Sequence, residues 1–382
     1  MRLGARLRIG TTRAGSMLPA LTARAALAAA CTVGTVRAAP LDALLSAFPG
    51  DESRRGVEFA LDAVNDRIDV FGVRASDPEF TGTGTGDYRG GHLRATLPLG
   101  SRAWLEGTLW RRDVSYRDDW GRIDSWALAG QWRLLDDRPR SRALALRFGA
   151  WGNEADALEK TSATAFGGRR FDSVRIGRPR DRQLQLDLVG SLGSEQRNLS
   201  AFVGLQRGTV SYGSLSGTAT IGSCRYALHV GAVETSGNQL GPCILGDGTQ
   251  VTGSTVRVPN SELGFDPRNA LAYEGRALRF GLAGITHLGH WRFRAGATLE
   301  LHDRGARLDE VTRRAGVAPR RRVATAALEA GYRFSGGMLV YARGTLFDSN
   351  LSSEVPFLYN AATAQRMSRI YGYLTLGLIL PF

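Results

Sequence analysis

The end of the chain constrains its fold more than any other part of the sequence. In the last thirteen residues, IYGYLTLGLILPF, apolar side chains recur at every second position, namely Leu374, Leu376, Leu378, Leu380 and Phe382. Successive side chains of a β-strand point to opposite faces, so one face of this strand is a stripe of leucines. A soluble sheet seldom exposes such an edge strand, because it invites aggregation. The pattern predicts a strand in the wall of a barrel that stands in lipid, with its other face toward the lumen.

This terminal stripe resembles the C-terminal strand of Gram-negative outer-membrane proteins. In that group a final Phe, with apolar residues at every second position before it, is read by the barrel-assembly machinery, so the resemblance implies that partner. Two residues depart from the usual pattern, since Leu380 stands where an aromatic residue is commoner and Pro381 is unusual. The resemblance implies an outer-membrane β-barrel in the broad group of small porins and autotransporter-type barrels, and it indicates no particular family.

The beginning of the chain predicts export. Six arginines and no acidic residue fall within the first 39 residues, most of them ahead of an apolar run at 25–36. A charged region, a short apolar region and the small residues Ala38 and Ala39 are typical of a secretory signal that is cleaved near that point. We therefore expect residues 1–39 to be a signal peptide, residues 40–56 a periplasmic segment, and residues 57–382 a barrel in the cell outer membrane.

The composition favours strands over helices as the membrane-crossing elements. No other stretch approaches the roughly 18 uninterrupted apolar residues that a membrane-spanning helix needs. At 43% hydrophobic residues and a mean hydropathy of -0.17, a membrane protein must alternate apolar with polar residues. Removal of six arginines with the signal leaves 43 basic against 36 acidic residues, a net charge of +7. The export signal argues against nucleic acid and favours lipid, lipopolysaccharide phosphates or small anionic solutes as partners.

The alternating segments predict an antiparallel up-and-down barrel of about twelve strands. Five hairpins with short turns pair residues 338–347 with 323–334, 291–302 with 276–286, 198–207 with 183–192, 142–151 with 123–134, and 102–112 with 92–99. Long polar stretches separate them, and short periplasmic turns that alternate with long extracellular loops are typical of outer-membrane barrels. The C-terminal strand and a first strand near 68–74 complete the count. Residues 57–64 also alternate, so fourteen strands are the alternative.

Cys224 and Cys243 are the two cysteines that remain after removal of the signal. An even pair in an exported protein predicts a disulfide. It would close a loop of about 20 residues and contribute about 3 kcal/mol on the loop-entropy model. We expect it in the long extracellular loop 208–275, where 225–235 and 250–259 are predicted to pair as a hairpin. His229 is the only histidine nearby, so we expect no metal, and no motif indicates a cofactor.

Strand parity separates side chains that face lipid from those of the lumen. Arg on the lipid face costs about 2–4 kcal/mol at the midplane, so charged strand residues belong inside. The candidate lumen-lining residues are Arg94, Glu106, Arg147, Asp187, Arg279, Arg292, Arg294, Glu300, Glu329, Arg333 and Arg343. Seven arginines against four acids predict a modestly anion-leaning passage. A lumen of intermediate width leaves an interlocked Arg–carboxylate core that conducts little as the alternative.

Function therefore divides into three classes. The chain is predicted to be a passive channel for small or acidic solutes, and the alternatives are a non-conducting structural or adhesive barrel and an autotransporter-type translocator. A hydrolase is a minor alternative, in which Asp118 and Asp119 would meet His302 and Asp303 at the outer rim to activate water. Two acidic loop stretches arise readily without function, so we predict no catalytic residue. The basic runs 313–314 and 320–322 are candidates for contact with lipopolysaccharide phosphate.

Overall fold

The structure is a computed structural model. It describes residues 42–48, 55–64, 88–116, 119–161, 164–166, 169–263, 271–314, 318–348, 350–360 and 371–382. Within these ranges no helix combines the length and the apolar character needed to cross a membrane.

Twelve antiparallel strands close into one barrel. In chain order they are β1 (Gly56–Val64), β2 (Tyr88–Pro98), β3 (Ala103–Tyr116), β4 (Asp119–Asp137), β5 (Arg142–Glu154), β6 (Arg180–Gly193), β7 (Arg197–Ser211), β8 (Tyr273–Leu288), β9 (Trp291–Asp303), β10 (Arg322–Arg333), β11 (Leu339–Phe347) and β12 (Tyr371–Pro381). Each strand pairs with its neighbours in the chain, and β1 pairs with β12, with Leu61 opposite Leu376. Closure pairs the backbone groups at both edges, as a lipid environment requires.

The outer wall is apolar along the middle of the strands. In β6 burial alternates residue by residue, so that Leu184, Leu186 and Leu188 are exposed while the residues between them are buried. In β12 the side chain of Leu376 is 58% exposed, whereas Tyr373 and Thr375 are buried inside. This is the parity that the C-terminal stripe predicted. A closed barrel with an apolar outer face and polar residues inside is the architecture of an outer-membrane β-barrel protein.

Aromatic side chains gather at the end of the barrel that carries the short turns. Trp291 and Tyr332 have ring centroids 5.1 Å apart, as do Tyr332 and Phe334. Aromatic girdles lie at the membrane interfaces of such barrels, and the short turns face the periplasm. By this rule we assign the opposite end, with the long connections, to the extracellular side.

Most strands begin or end a few residues beyond the predicted segments, mainly toward the extracellular side. For example, β4 begins at Asp119 and β8 at Tyr273. Outside the membrane the outer face is no longer apolar, so the alternation that predicts a strand fades while the backbone pairing continues. The first strand was assigned wrongly, because β1 is Gly56–Val64, whereas 68–74 lies outside the described residues.

The long connections on either side of β6 and β7 form a second, six-stranded sheet on the extracellular side. Its order is Thr255–Pro259, Glu234–Gln239, Cys224–Val230, Ser214–Ile221, Ser173–Gly177 and Ala157–Lys160. The predicted hairpin between 225–235 and 250–259 is wrong. A turn closed by the bond from the Gly231 amide to the Glu234 carbonyl, at 2.9 Å, inserts another strand between them. The Cys224–Cys243 disulfide is confirmed and fastens the far end of this sheet.

We expect loss of the disulfide to loosen the extracellular sheet and leave the barrel intact. The double variant Cys224→Ser/Cys243→Ser removes a constraint worth about 3 kcal/mol on the loop-entropy model. Hydrogen–deuterium exchange should rise in residues 224–245 and stay unchanged in β9 and β10. The wild-type protein treated with a reductant should match the variant. Equal protection of residues 224–245 in both forms would contradict this prediction.

We expect a charge on the outer face of β12 to block insertion. Leu376→Arg places a guanidinium at the middle of the strand on the lipid side, at a cost of about 2–4 kcal/mol. The variant should lose the heat-modifiable electrophoretic mobility of a folded barrel. Leu376→Phe keeps an apolar side chain at the same position and should fold normally. A normally folded Leu376→Arg barrel would show that this face does not contact lipid.

Candidate functional site

The inner wall carries a dense set of charged side chains. Arg94, Glu106, Arg147, Asp187, Arg279, Arg292, Arg294, Glu300 and Glu329 are buried inside the barrel, Arg343 has a mostly buried side chain, and Arg333 is half-buried near the periplasmic end. Glu329 accepts from Arg292 and Arg343, at 2.7 and 2.6 Å. Arg147 pairs with Glu106. Arg279 lies 3.6 Å from Asp187 and 3.7 Å from Glu300. These charges form local pairs that span neighbouring strands.

A second network on the inner wall includes acids that the sequence analysis did not place there. His92 lies between Glu58 and Asp62 of β1, with nitrogen–oxygen distances of 3.0 and 3.3 Å. Trp110 donates to Asp62 at 2.7 Å, and the hydroxyl of Tyr341 donates to Glu58. Both acids belong to the strand that was ambiguous in the sequence. The predicted excess of positive charge in the lumen is therefore smaller than the count of seven arginines to four acids suggested.

Residues 42–48, which we call the N-terminal plug, lie inside the periplasmic half of the barrel. The wall binds the backbone of the plug at alternate residues. Arg279 donates to the carbonyl of Asp42, Arg294 to that of Leu44 and Gln131 to that of Ser46, each at 2.7 Å. The amide of Ala47 donates to the hydroxyl of Ser191 at 2.8 Å. The bonds from Arg279 and Arg294 are charge-assisted, and such bonds are about twice as strong as neutral ones.

Apolar side chains complete the seat of the N-terminal plug. Leu45, Ala47 and Phe48 are buried against residues of β5, β6 and β7, namely Ala143, Ala145, Val189 and Phe202. At Gly296 a Cβ atom would lie 2.1 Å from the carbonyl oxygen of Ala43, so only glycine permits this approach. A cavity of about 30 Å³ remains between plug and wall. It holds a water molecule or two and nothing larger.

Residues 350–360, which we call the extracellular plug, lie inside the other half of the barrel. Asn153 donates to the carbonyl of Glu354 at 2.9 Å, and Tyr273 donates to that of Pro356 at 2.9 Å. The amide of Phe357 donates to Asp181 at 3.2 Å. These hydrogen bonds attach the segment between β11 and β12 to strands on the opposite side of the barrel.

The extracellular plug is also the centre of the largest apolar cluster. Leu351, Val355 and Phe357 are buried there together with side chains of the wall, among them Ile123, Val210, Phe347 and Tyr371. A helix, α1 (Ala306–Arg314), adds Leu308 to the same cluster. The guanidinium of Arg304 stacks on the ring of Tyr359 at 4.0 Å. The plug is therefore packed as a protein core, and α1 covers it.

Both plugs differ from what the sequence indicated. Residues 40–56 were assigned to the periplasm, and that assignment is wrong for residues 42–48. The loop around 350–360 was assigned to the extracellular side without a role in the lumen. In the stretch PLDALLSAFP, the apolar run was a signal that this segment is buried. The surface of the wall that contacts this segment could not be predicted from the sequence, because it combines residues from strands far apart in the chain.

The groups considered for chemistry do not come together. His302 is buried on the inner wall, 3.1 Å from Glu300, whereas Asp303 is exposed on the outer face. Neighbours in a strand point to opposite faces, so this pair does not form one rim site. Asp118 lies outside the described residues, and the side chain of Asp119 is not described. Within the described part of the chain, no three His, Cys, Asp or Glu side chains are grouped to hold a metal ion.

Glu354 is the carboxyl group whose ionisation bears on the extracellular plug. Burial raises its pKa, and the negative charge of Asp62 acts in the same direction. Arg112, with Nη1 3.8 Å from Oε2, lowers the pKa, as do the Tyr373 hydroxyl at 2.9 Å and His92. The net result is a raised pKa, so the seated plug favours the protonated carboxyl.

Comparison with known proteins finds structural likeness at very low sequence identity. No protein-family model and no curated protein sequence matches the chain. The translocator domain of autotransporter NalP from Neisseria meningitidis is 12% identical, with 95% of each chain covered and a TM-score of 0.43. The NanC porin is 9% identical, covering 86% of this chain and 100% of its own, with a TM-score of 0.36. Outer membrane phospholipase A from Escherichia coli is 10% identical, covering 86% and 92%, with a TM-score of 0.31. Likenesses this distant do not discriminate between functions.

We expect the extracellular plug to be held most tightly at acid pH. A released Glu354 titrates near its ordinary value of 4.5 and the seated one above it. Stability of the seated plug is therefore full below that ordinary value and falls as pH rises through the raised pKa. Hydrogen–deuterium exchange of residues 350–360 should increase between acid and neutral pH in wild type.

The variant Glu354→Gln should reduce this pH dependence, and Asp181, which accepts from the Phe357 amide, is a carboxyl group that remains in contact with the plug. Glu310→Gln is the matched control, because Glu310 is half-exposed on α1 and pairs with Arg313 and Arg314. The control should keep the wild-type response. A pH response that is undiminished in Glu354→Gln would assign it to another group.

Proposed function

We propose that the protein is a non-conducting outer-membrane barrel that anchors an extracellular β-sheet surface, that is, a structural or adhesive barrel. The observation that carries the proposal is the occupation of the lumen by two segments of the same chain. The N-terminal plug fills the periplasmic half, and the extracellular plug fills the other half. Each has both backbone hydrogen bonds and an apolar seat. The presence of both plugs argues against a permanent passage.

The extracellular sheet is the surface that such a barrel would present. Its six strands continue from the connections around β6 and β7, and the disulfide holds its far end. Near the disulfide, Ile221, Leu240, Ile244 and Leu245 are exposed. Exposed apolar side chains that lie together are typical of surfaces that bind other molecules. This favours the adhesive form of the proposal.

A channel is the second candidate, and it requires both plugs to leave. The plugs are held by hydrogen bonds and apolar contacts, and none of the contacts described above is covalent, so an open state is chemically accessible. In that state the arginines of the wall would face Glu58, Asp62 and Asp181 in addition to the four predicted acids. We therefore expect an opened lumen to distinguish weakly between anions and cations. Among the described residues, the arrangement of the side chains gives no specific support to a translocator or a hydrolase.

Single-channel recording in a planar bilayer tests the proposal. Wild type should show no stable conductance. Deletion of residues 42–48, or replacement of 350–360 by a flexible linker of equal length, should each leave one plug in place and give at most brief openings. The combined variant should conduct steadily. Ser46→Ala, which removes the hydrogen bonds of the Ser46 hydroxyl with Asn198, Ser191 and the Phe48 amide and leaves the carbonyl contact, is the matched control and should stay closed.

A steady open pore in wild type would contradict the proposal and favour the channel. Absence of conductance in the combined variant, if that variant retains heat-modifiable mobility, would show that the wall itself closes the lumen. Binding of the sheet to surfaces can be measured separately, because its removal should not affect assembly of the barrel.

A further inference from the structure

A group of arginines faces outward at the extracellular ends of β6, β7, β8 and β10. We call it the arginine belt, and it consists of Arg180, Arg182, Arg207, Arg276 and Arg322. All five are exposed. They share the parity of the lipid-facing leucines on their strands, so they lie on the outer wall and not in the lumen.

The belt lies directly beyond the apolar band. Arg182 lies two residues beyond Leu184 toward the extracellular end of β6. Arg207 lies two residues beyond Leu205 toward the extracellular end of β7. Leu184 is 62% exposed and Leu205 63%, so both are lipid-facing. Two residues along a strand span about 6–7 Å. The guanidinium groups therefore lie where acyl chains give way to headgroups.

The belt is only partly neutralised by the protein. The only acids on the same face of β6–β10 at this level, among the described residues, are Glu274 and Asp303, so five positive charges meet two negative ones. Arg207 and Glu274 are 3.4 Å apart, and both are largely exposed. No acidic side chain among the described residues lies within ion-pairing distance of Arg182 or Arg322, whereas Asp303 is the register partner of Arg276. Glu154 of β5 lies opposite Arg180 in register and marks the edge of the belt.

Two members of the belt are direct neighbours. Arg207 and Arg276 are register partners on β7 and β8. Like charges directly opposite one another on adjacent strands destabilise a sheet. An anion bound between the two guanidinium groups would remove that repulsion, and two planar forks match the oxygens of a phosphate.

The opposite side of the barrel provides a contrast. There the corresponding outward charges on β3 and β4 are two arginines and two aspartates that pair with each other. Arg111 lies 2.8 Å from Asp124, and Arg122 lies 2.9 Å from Asp113. Apart from Arg322, the residues of the basic runs that the sequence singled out are likewise engaged within the protein. Arg313 and Arg314 pair with Glu310, Arg320 lies 3.5 Å from Asp348, and Arg321 pairs with Asp309.

We propose that the arginine belt is a binding site for the phosphorylated headgroup of an anionic lipid in the outer leaflet. The apolar wall below the belt receives the acyl chains of the same molecule, and the guanidinium groups bind its phosphates. Position at the headgroup level, charge and exposure favour a lipid over a soluble anion or an acidic protein. The site is independent of whether the lumen conducts.

Retention of a defined lipid tests the proposal. Folded wild-type protein is exchanged into mixed micelles of neutral detergent and diphosphoryl lipid A, and bound lipid is counted by native mass spectrometry. Wild type should retain diphosphoryl lipid A and should release it on dephosphorylation. Arg207→Gln/Arg276→Gln should weaken retention by about tenfold, as expected for two partly exposed ion pairs.

The matched control is Arg111→Gln/Arg122→Gln, which removes the same charge from the paired side of the barrel. It should retain the lipid as wild type does. Equal retention of dephosphorylated lipid A by wild type, or an equal loss in the control, would overturn the proposal. Competition by inorganic phosphate at low concentration would assign the belt to a soluble anion and overturn it also. If the belt variant fails to show heat-modifiable mobility, Arg182→Gln/Arg322→Gln takes its place with the same expected outcome.

Discussion

Compensation of buried arginine is the constraint on which the interior of this protein depends. A guanidinium cannot lose its charge and is costly to bury without partners. Arg279 is almost fully buried; its charge lies 3.6 Å from Asp187 and 3.7 Å from Glu300, and it donates a hydrogen bond to the carbonyl of Asp42. Arg294 is likewise shared between Glu329 and the carbonyl of Leu44. The wall and the N-terminal plug therefore complete one another electrostatically.

The segments in the two halves of the lumen are held by different kinds of interaction. In the periplasmic half, charged and polar side chains bind a short segment mainly through its backbone. In the extracellular half, apolar side chains of the plug, of the wall and of α1 form a packed core. Between them lies the network of Glu58, His92 and Asp62, which connects β1 with β2, β3, β11 and β12. This network joins the first and the last strands at the point where the barrel closes.

Periodicity in the sequence was sufficient to predict the barrel, its strand number and the disulfide. These depend on local patterns, namely alternation along each strand and a pair of cysteines in an exported chain. The first strand, β1, was harder to predict from the sequence. Glu58 and Asp62 have the parity of the inner wall, but the segment at 68–74 alternates as well. The plugs were beyond such reasoning. Residues 42–48 have no period, and their partners, Gln131, Ser191, Arg279 and Arg294, come from four strands whose proximity only the closed barrel establishes. Of the arginine belt only Arg322 was indicated, as part of the basic run 320–322. The other members are dispersed over β6, β7 and β8, whereas the remaining residues of the basic runs pair with nearby acids.

The way the wall binds the N-terminal plug has a consequence for how this protein can vary. The bonds from Arg279, Arg294 and Gln131 end on carbonyl oxygens, which every amino acid possesses. Apart from Asp42, which lies 3.9 Å from Arg294, and Ser46, whose hydroxyl donates to Asn198, side chains within the plug can therefore change with little effect on its polar contacts, provided that they remain small or apolar where they are buried. The wall has no such freedom, because a particular donor must stand at each of three positions and the absence of a methyl group at Gly296 is required. Closure of the periplasmic side of the lumen thus depends more on the residues of the barrel wall than on the sequence of the plug.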